Sequence, residues 1–205
     1  MGAGPFSAGP FHDGTTGVGS EWRTKMHGLV FTELKKYAET KHGAGTWKAL
    51  LAKAGLEGKE YNPLSHYPDQ EVVALVSAAS SATRMAPSLV LEDFGEFIAP
   101  SLLSMYANLI LPRWKTINLI DETEGTIHAV VRQRVKDAAP PKLGTRRVSP
   151  DEVILTYDSP RQMCSLAKGI ARGLAKHFKE TISIDEKQCM HHGAPSCIIH
   201  FRKTA

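Results

Sequence analysis

The sequence predicts a single α+β domain, in which an N-terminal helical subdomain packs on a C-terminal subdomain of helices and a small antiparallel sheet. Apolar residues recur at helical spacing from Met26 onward. Strand-like, β-branched segments bounded by turn residues follow nearer the C-terminus. The chain has 205 residues, of which 42% are hydrophobic and 22% charged, so one sizeable core is expected.

The first 25 residues differ in composition from the rest. They contain six glycines and two prolines and lack the apolar segment of a signal peptide. We therefore predict a flexible leader or tag over 1–25, a domain over 26–201 and a tail over 202–205. No apolar run approaches the ~18 residues of a membrane span, and a cytoplasmic protein is expected.

Composition also bears on the class of function. The net charge is +4, but Lys and Arg are scattered and no basic stripe interleaved with aromatic residues is present, which disfavours nucleic acid as a partner. No paired carboxylates or nucleophile–base set stands out, so an enzyme is the least favoured class.

Periodicity and turn residues place the elements in order. Helices are predicted over 27–43, 46–56, 68–83 and 114–137, with one or two more over 88–111, interrupted near Pro100. A strand is expected at 152–157, a helix at 161–181, and two strands at 181–189 and 196–204.

The segment "YDSPRQMC" places Tyr157, Ser159 and Arg161 at alternate positions. All three side chains donate hydrogen bonds, and the Arg fork suits a carboxylate, which indicates an anion site. The alternative is a plain helix start, with Ser159 as N-cap and Pro160 in the first turn.

His128 lies on the apolar face of the predicted helix over 114–137. A buried core histidine is the commoner explanation for such a position, and a metal ligand is the alternative. Twelve and thirteen residues later, Pro140 and Pro141 predict a stiff, extended segment.

The helical His, Pro-Pro and Tyr-x-Ser-x-Arg together, in this order, resemble the haem-nitric oxide/oxygen binding (H-NOX) family, to which the regulatory haem domain of soluble guanylate cyclase belongs. The resemblance extends from Met26 to Phe201 and includes "FGEF" in the middle. It implies haem b as cofactor, bound between the two subdomains.

The resemblance also implies roles for individual residues. His128 is expected to ligate the haem iron, Tyr157, Ser159 and Arg161 to hold the propionates, and Pro141 to press on the macrocycle. Members that hold dioxygen carry a distal tyrosine nine positions after the motif Tyr, where this chain has Leu166. Other distal positions map to Leu34 and Val90. An apolar distal wall favours nitric oxide over dioxygen, because bound dioxygen needs a hydrogen-bond donor.

Three cysteines lie near the C-terminus, at Cys164, Cys189 and Cys197. Three Cys with one His form a common structural zinc site, and some bacterial H-NOX proteins carry such a site, linked to thiol redox sensing. Their His precedes the second Cys, where this chain has 185–188, so the fourth ligand is open. His192 is the candidate we name, with His191 or His200 as substitutes, and free structural or redox-active thiols are the alternative to zinc.

The resemblance implies a stand-alone nitric oxide sensor, with no fused effector, that signals to a separate protein through the helix bearing His128. The expected partners are a histidine kinase, a cyclic-di-nucleotide enzyme or a chemoreceptor. Two rival interpretations remain: a thiol/zinc redox switch with a vestigial haem pocket, and a small-molecule binding module like the vinyl-reductase-like domains.

Overall fold

The computed structural model describes residues 25–135 and 138–204. The first half contains β1 (Lys25–His27), α1 (Gly28–His42), α2 (Thr46–Lys53), β2 (His66–Pro68), α3 (Asp69–Thr83) and α4 (Pro87–Met105). The second half contains α5 (Thr116–Glu122), a π-helical turn (Glu124–His128), α6 (Ala129–Arg134), β3 (Lys142–Ser149), β4 (Glu152–Asp158), α7 (Cys164–Phe178), β5 (Thr181–Gln188) and β6 (Cys197–Thr204). The predicted leader lies outside the described residues except for Lys25, which begins β1.

The C-terminal half is built on a four-stranded antiparallel sheet of order β3-β4-β6-β5. Side chains alternate between its faces, so that Val153, Leu155 and Tyr157 of β4 are buried together with Ile199 and Phe201 of β6. This face packs against α5 and α7. The predicted α+β fold is confirmed.

The N-terminal half is a helical subdomain with its own core. Its largest fully buried side chains include Phe31, Leu34, Leu75 and Phe94, from α1, α3 and α4. β1 and β2 form a short antiparallel pair at its edge. Within the described residues, no helix combines the length and apolarity needed to cross a membrane.

The two halves join where α4 packs on α7, and glycine makes the approach possible. A Cβ added at Gly169 would lie 2.1 Å from the carbonyl oxygen of Glu92, and one at Gly95 would lie 2.5 Å from the carbonyl oxygen of Leu166. Both distances are far inside van der Waals contact, so the backbones are close enough to exclude any side chain at these positions.

Several predicted boundaries were wrong. α4 continues through Pro100 to Met105, because losing one N–H near the end of a long, packed helix does not end it. The single helix predicted over 114–137 is divided by the π-helical turn. β3 was not predicted, since this charged strand lies at the sheet edge and its exposure does not alternate regularly.

Candidate functional site

A cavity of about 620 Å³ lies between the helical subdomain and the sheet. Its volume is within the range of about 300–1,000 Å³ typical of small-molecule and cofactor sites. The apolar side chains on its wall include Ile120, Leu143, Leu155, Leu166, Ile170 and Phe201, and three of the predicted polar site residues, His128, Tyr157 and Arg161, also line it.

His128 is the last residue of the π-helical turn, and its side chain is 15% exposed. Nδ1 lies 3.0 Å from Oε2 of Glu124. Burial lowers the pKa of His128 from its usual value, and this outweighs the opposite effect of the Glu124 carboxylate. The imidazole is therefore neutral near pH 7, which is the form that binds a metal.

Tyr157 and Ser159 are both buried at the end of β4. Burial is the main reason that the pKa of Tyr157 is raised to about 12, so its phenol stays protonated and can donate a hydrogen bond. Tyr157 lines the cavity, whereas Ser159 is not among the lining residues, and its hydroxyl accepts the backbone N–H of Arg161 at 3.3 Å. The alternative of a plain helix start at Ser159 is wrong, because α7 begins at Cys164.

The Arg161 side chain is 8% exposed and connects the two halves of the protein. Its Nε donates to Asp69 at 2.7 Å, Nη1 donates to the carbonyl of Ala139, and Nη2 donates to that of Lys25 at 3.3 Å. Among the described residues, these contacts use three of the five guanidinium N–H groups. Asp69 is the first residue of α3, and its pairing with Arg161 was not predicted from the sequence.

Of the remaining predicted haem-pocket residues, some line the cavity and others do not. Pro141 and Leu166 line the cavity. Leu34 and Val90 are 2% exposed and lie in the helical core, outside the cavity lining. The cavity also exposes polar side chains that sequence reasoning did not single out, among them Tyr106, Asn108 and His66.

The three cysteines form a compact, buried cluster. Sγ of Cys189 lies 3.8 Å from Sγ of Cys164 and 3.8 Å from Sγ of Cys197. A carboxylate oxygen of Glu186 completes a group of four ligand atoms, all within 4.8 Å of one another. Burial raises the pKa of the Cys164 and Cys197 thiols, so both stay protonated unless a cation stabilises the thiolates.

The histidines named as fourth ligands lie elsewhere. His192 is exposed in the turn that ends at Gly193. His191 Nε2 lies 2.7 Å from the carbonyl oxygen of Gln162. His200 alternates with Cys197, Ile199 and Phe201 along β6 and lies on the other face of the sheet. None of the three belongs to the four-atom group, and Glu186 occupies the position that we had assigned to a histidine.

Comparison with known proteins gives a consistent result. The family model described as Haem-NO-binding matches residues 27–186. The structure resembles that of an H-NOX protein from S. oneidensis in the Fe(II)NO ligation state, with a TM-score of 0.82 and 25% identity, over 88% of this chain and 100% of that one.

Two further solved structures share the fold at lower identity. An unliganded Fe(II) H-NOX protein from K. algicida gives a TM-score of 0.76 at 20% identity and covers 88% of this chain and 97% of its own. A variant of the T. tengcongensis H-NOX protein gives 0.76 at 22%, with 88% and 98% covered. A search of curated protein sequences finds no match.

Proposed function

Because the chain belongs to the Haem-NO-binding (H-NOX) family, we propose that it is a sensor for nitric oxide that binds haem b through His128 and signals to a separate protein. The observation that carries this proposal is a neutral, buried imidazole on the wall of a large apolar cavity that Tyr157 and Arg161 also line.

The residues present fit a haem. The cavity wall is mostly apolar, as a porphyrin face requires, and neutral imidazole is a suitable ligand for iron. Burying the two propionates needs charge-assisted donors to offset their desolvation. The Tyr157 phenol and the Arg161 guanidinium can supply them, while Ser159 holds the backbone of Arg161. Pro141 would contact the macrocycle.

Bound haem would supply a ferrous iron that takes up a diatomic gas. Leu166 on the wall offers no hydrogen-bond donor, which favours nitric oxide over dioxygen. Leu34 and Val90, which were predicted as distal positions, are buried in the helical core outside the cavity lining and do not support this argument.

The route of the signal starts at His128. Its π-helical turn follows α5 directly, and α5 packs on α7 and on β4. The first N–H of α5, on Thr116, donates to Glu180 at 3.2 Å, just beyond α7. Movement of His128 would therefore shift α5 and, through it, the surface of the sheet. We propose a histidine kinase, a cyclic-di-nucleotide enzyme or a chemoreceptor as the partner.

A zinc/thiol redox site is a second candidate function, and the cysteine geometry favours it. Four ligands around zinc at ~2.3 Å have tetrahedral edges of roughly 3.8 Å, which equals the two measured Sγ–Sγ distances of 3.8 Å. We propose Glu186 as the fourth ligand in place of His192. A two-electron oxidant such as a disulfide, itself reduced to two thiols, would convert two of the thiolates to a disulfide, release the metal and give the protein a redox input.

The proposal is tested by reconstituting the purified protein with haem. We expect one haem per chain with a Soret band, and we expect His128→Gly to lose haem on gel filtration and to recover it with added imidazole. The His42→Gly variant is the matched control, since His42 is exposed and does not line the cavity. If the unaltered protein takes up no haem, or if His128→Gly keeps an unchanged ferrous spectrum, the proposal is wrong.

A further inference from the structure

Within the π-helical turn, the carboxylate of Glu124 lies next to one of the two ring nitrogens of His128. Nδ1 of His128 and Oε2 of Glu124 are 3.0 Å apart. An ionised carboxylate only accepts hydrogen bonds, so Nδ1 must carry the proton and Nε2 must present a lone pair. The Glu124 carboxylate therefore favours the tautomer of His128 in which Nδ1 carries the proton, and the carbonyl of Pro141 is a second acceptor for the imidazole.

We propose that Glu124 is the positioning residue of His128, which fixes the imidazole in the tautomer that binds iron through Nε2 and strengthens it as a ligand. This inference rests on the proposed haem function and goes beyond it, because it names the residue that controls how firmly the iron is held. Hydrogen bonds from the far nitrogen of a ligating His to a carboxylate raise the basicity of the ligand and fix its ring orientation.

Glu124 can do this because its own carboxylate is held on several sides. Arg132 of α6 pairs with Oε1 at 2.7 Å, and the backbone N–H of Leu143 donates to Oε2 at 3.2 Å. Arg132 also donates to the carbonyl of Pro141 at 3.3 Å. Together with Nδ1 of His128, these donors contact both oxygens of the Glu124 carboxylate. The carboxylate thus ties the turn, α6 and the Pro-Pro segment together at the cavity wall.

The turn itself supports a functional role. The N–H of His128 bonds to the carbonyl of Thr123, five residues back, at 2.9 Å. Single π-helical turns inside α-helices are rare and occur frequently at functional sites. Gly125 follows Glu124 and has open space around it, so packing does not explain the wider turn. The turn brings the carboxylate of Glu124 to 3.0 Å from Nδ1 of His128, whose side chain lines the cavity.

A firmly held His128 has a consequence for sensing. If the signal is release of the imidazole when nitric oxide binds, a carboxylate that strengthens the ligand opposes that release. Glu124 would then set the threshold of the response, and weakening it would favour the released state. The Glu124 contact with Leu143 also means that such a change reaches β3, at the edge of the sheet.

The test uses haem-loaded protein carrying Glu124→Gln, which keeps size and removes the charge, with Glu122→Gln as the control. Glu122 is exposed, two residues away on the same segment. We expect the iron–histidine stretching frequency of the ferrous protein, measured by resonance Raman, to fall in Glu124→Gln only. Haem transfer to an acceptor protein should be faster by about 10-fold to 100-fold, and more of the nitric-oxide-saturated protein should have lost its His128 bond.

An unchanged frequency and transfer rate in Glu124→Gln would overturn the inference, as would equal changes in both variants. If Glu124→Gln loses haem during purification, the frequency is measured directly after reconstitution, with circular dichroism to verify folding. If the parent binds haem and Glu124→Gln changes neither the frequency nor the transfer rate, only the proposed role of Glu124 is wrong. If the parent binds no haem, the proposed function itself is wrong.

Discussion

The cavity and the cysteine cluster assemble their ligand groups in different ways. In the cavity, His128 and Arg161 come from separate elements, and each is oriented by a carboxylate, Glu124 or Asp69. In the cluster, the thiols and Glu186 face one another directly within 4.8 Å. The cavity is thus a large space whose polar side chains are oriented by further residues, whereas the cluster is a small group of four side chains that lie next to one another.

This difference shows where each site is vulnerable. The Arg161–Asp69 contact joins residues 92 positions apart across the two halves, so the cavity depends on how the halves pack. The cluster takes its ligands from β5, β6, the turn between them and the first residue of α7. We therefore expect changes in cavity supports to act on the whole fold, and changes in the cluster to act on metal content.

The largest expected effect is at the cluster. Cys197→Ser and Cys189→Ser should each reduce zinc from about one per chain to well below that level, because structural zinc sites need their full ligand set. Elemental analysis of reduced protein, purified without chelator, measures this. His192→Ala is the matched control and should keep its zinc, since that side chain is exposed.

The identity of the fourth ligand is tested in the same assay. Glu186→Gln should weaken zinc binding, because among the described residues the buried Oε1 atom of Glu186 has no hydrogen-bond partner, while Oε2 accepts from Lys168 at 3.1 Å. A parent protein with little zinc, or one whose zinc depends on His192 and not on Glu186, would contradict the assignment and favour ordinary thiols.

The next largest effect is expected at the ion pair that supports the cavity. Asp69→Asn leaves the guanidinium of Arg161 buried without its counter-charge, and breaking a buried pair costs about 3–5 kcal/mol in the free energy of unfolding. Lys41→Met removes an exposed pair with Asp93 and should cost about 0–1 kcal/mol. Chemical denaturation measures both. Equal effects would mean that the Arg161–Asp69 contact does not hold the halves together.

A smaller effect is expected at the helix contact between the two halves. Gly169→Ala places a methyl group 2.1 Å from the Glu92 carbonyl oxygen, so α4 and α7 must separate. Overpacking of this kind costs about 1–3 kcal/mol. Gly125→Ala, with open space around it, should instead stabilise by up to about 1 kcal/mol. Thermal unfolding compares the two, and destabilisation by Gly125→Ala alone would contradict the packing described.

The sequence indicated three of the polar side chains that line the cavity, whose roles in haem binding stay predictions, but not the carboxylates that contact them. Tyr157, Arg161 and His128 follow an ordered pattern and line one cavity as expected. Asp69 and Glu124 were not assigned a role, because a carboxylate at a helix start or on a helical face has many ordinary explanations. Only the fold brings Asp69 to Arg161.

The same limit applies to the cluster and the helices. Alternation along β5 places Glu186 on the same face as Ile182 and Ile184. This pattern could have identified Glu186, rather than the turn residue His192, as the fourth member of the cluster. The π-helical turn could not be predicted, because the period of 3.6 residues from which helices are predicted does not reveal a wider turn. Strands of three residues, such as β1 and β2, are too short to show any period.

We propose that the protein detects nitric oxide through haem that is bound at His128. The most direct test is the absorption spectrum of the ferrous, haem-loaded protein in air and after nitric oxide is added. We predict no stable spectrum of a dioxygen complex in air and a shifted Soret band with nitric oxide, which disappears in His128→Gly without imidazole. A stable dioxygen spectrum, or a Soret band that nitric oxide leaves unchanged, would contradict the account.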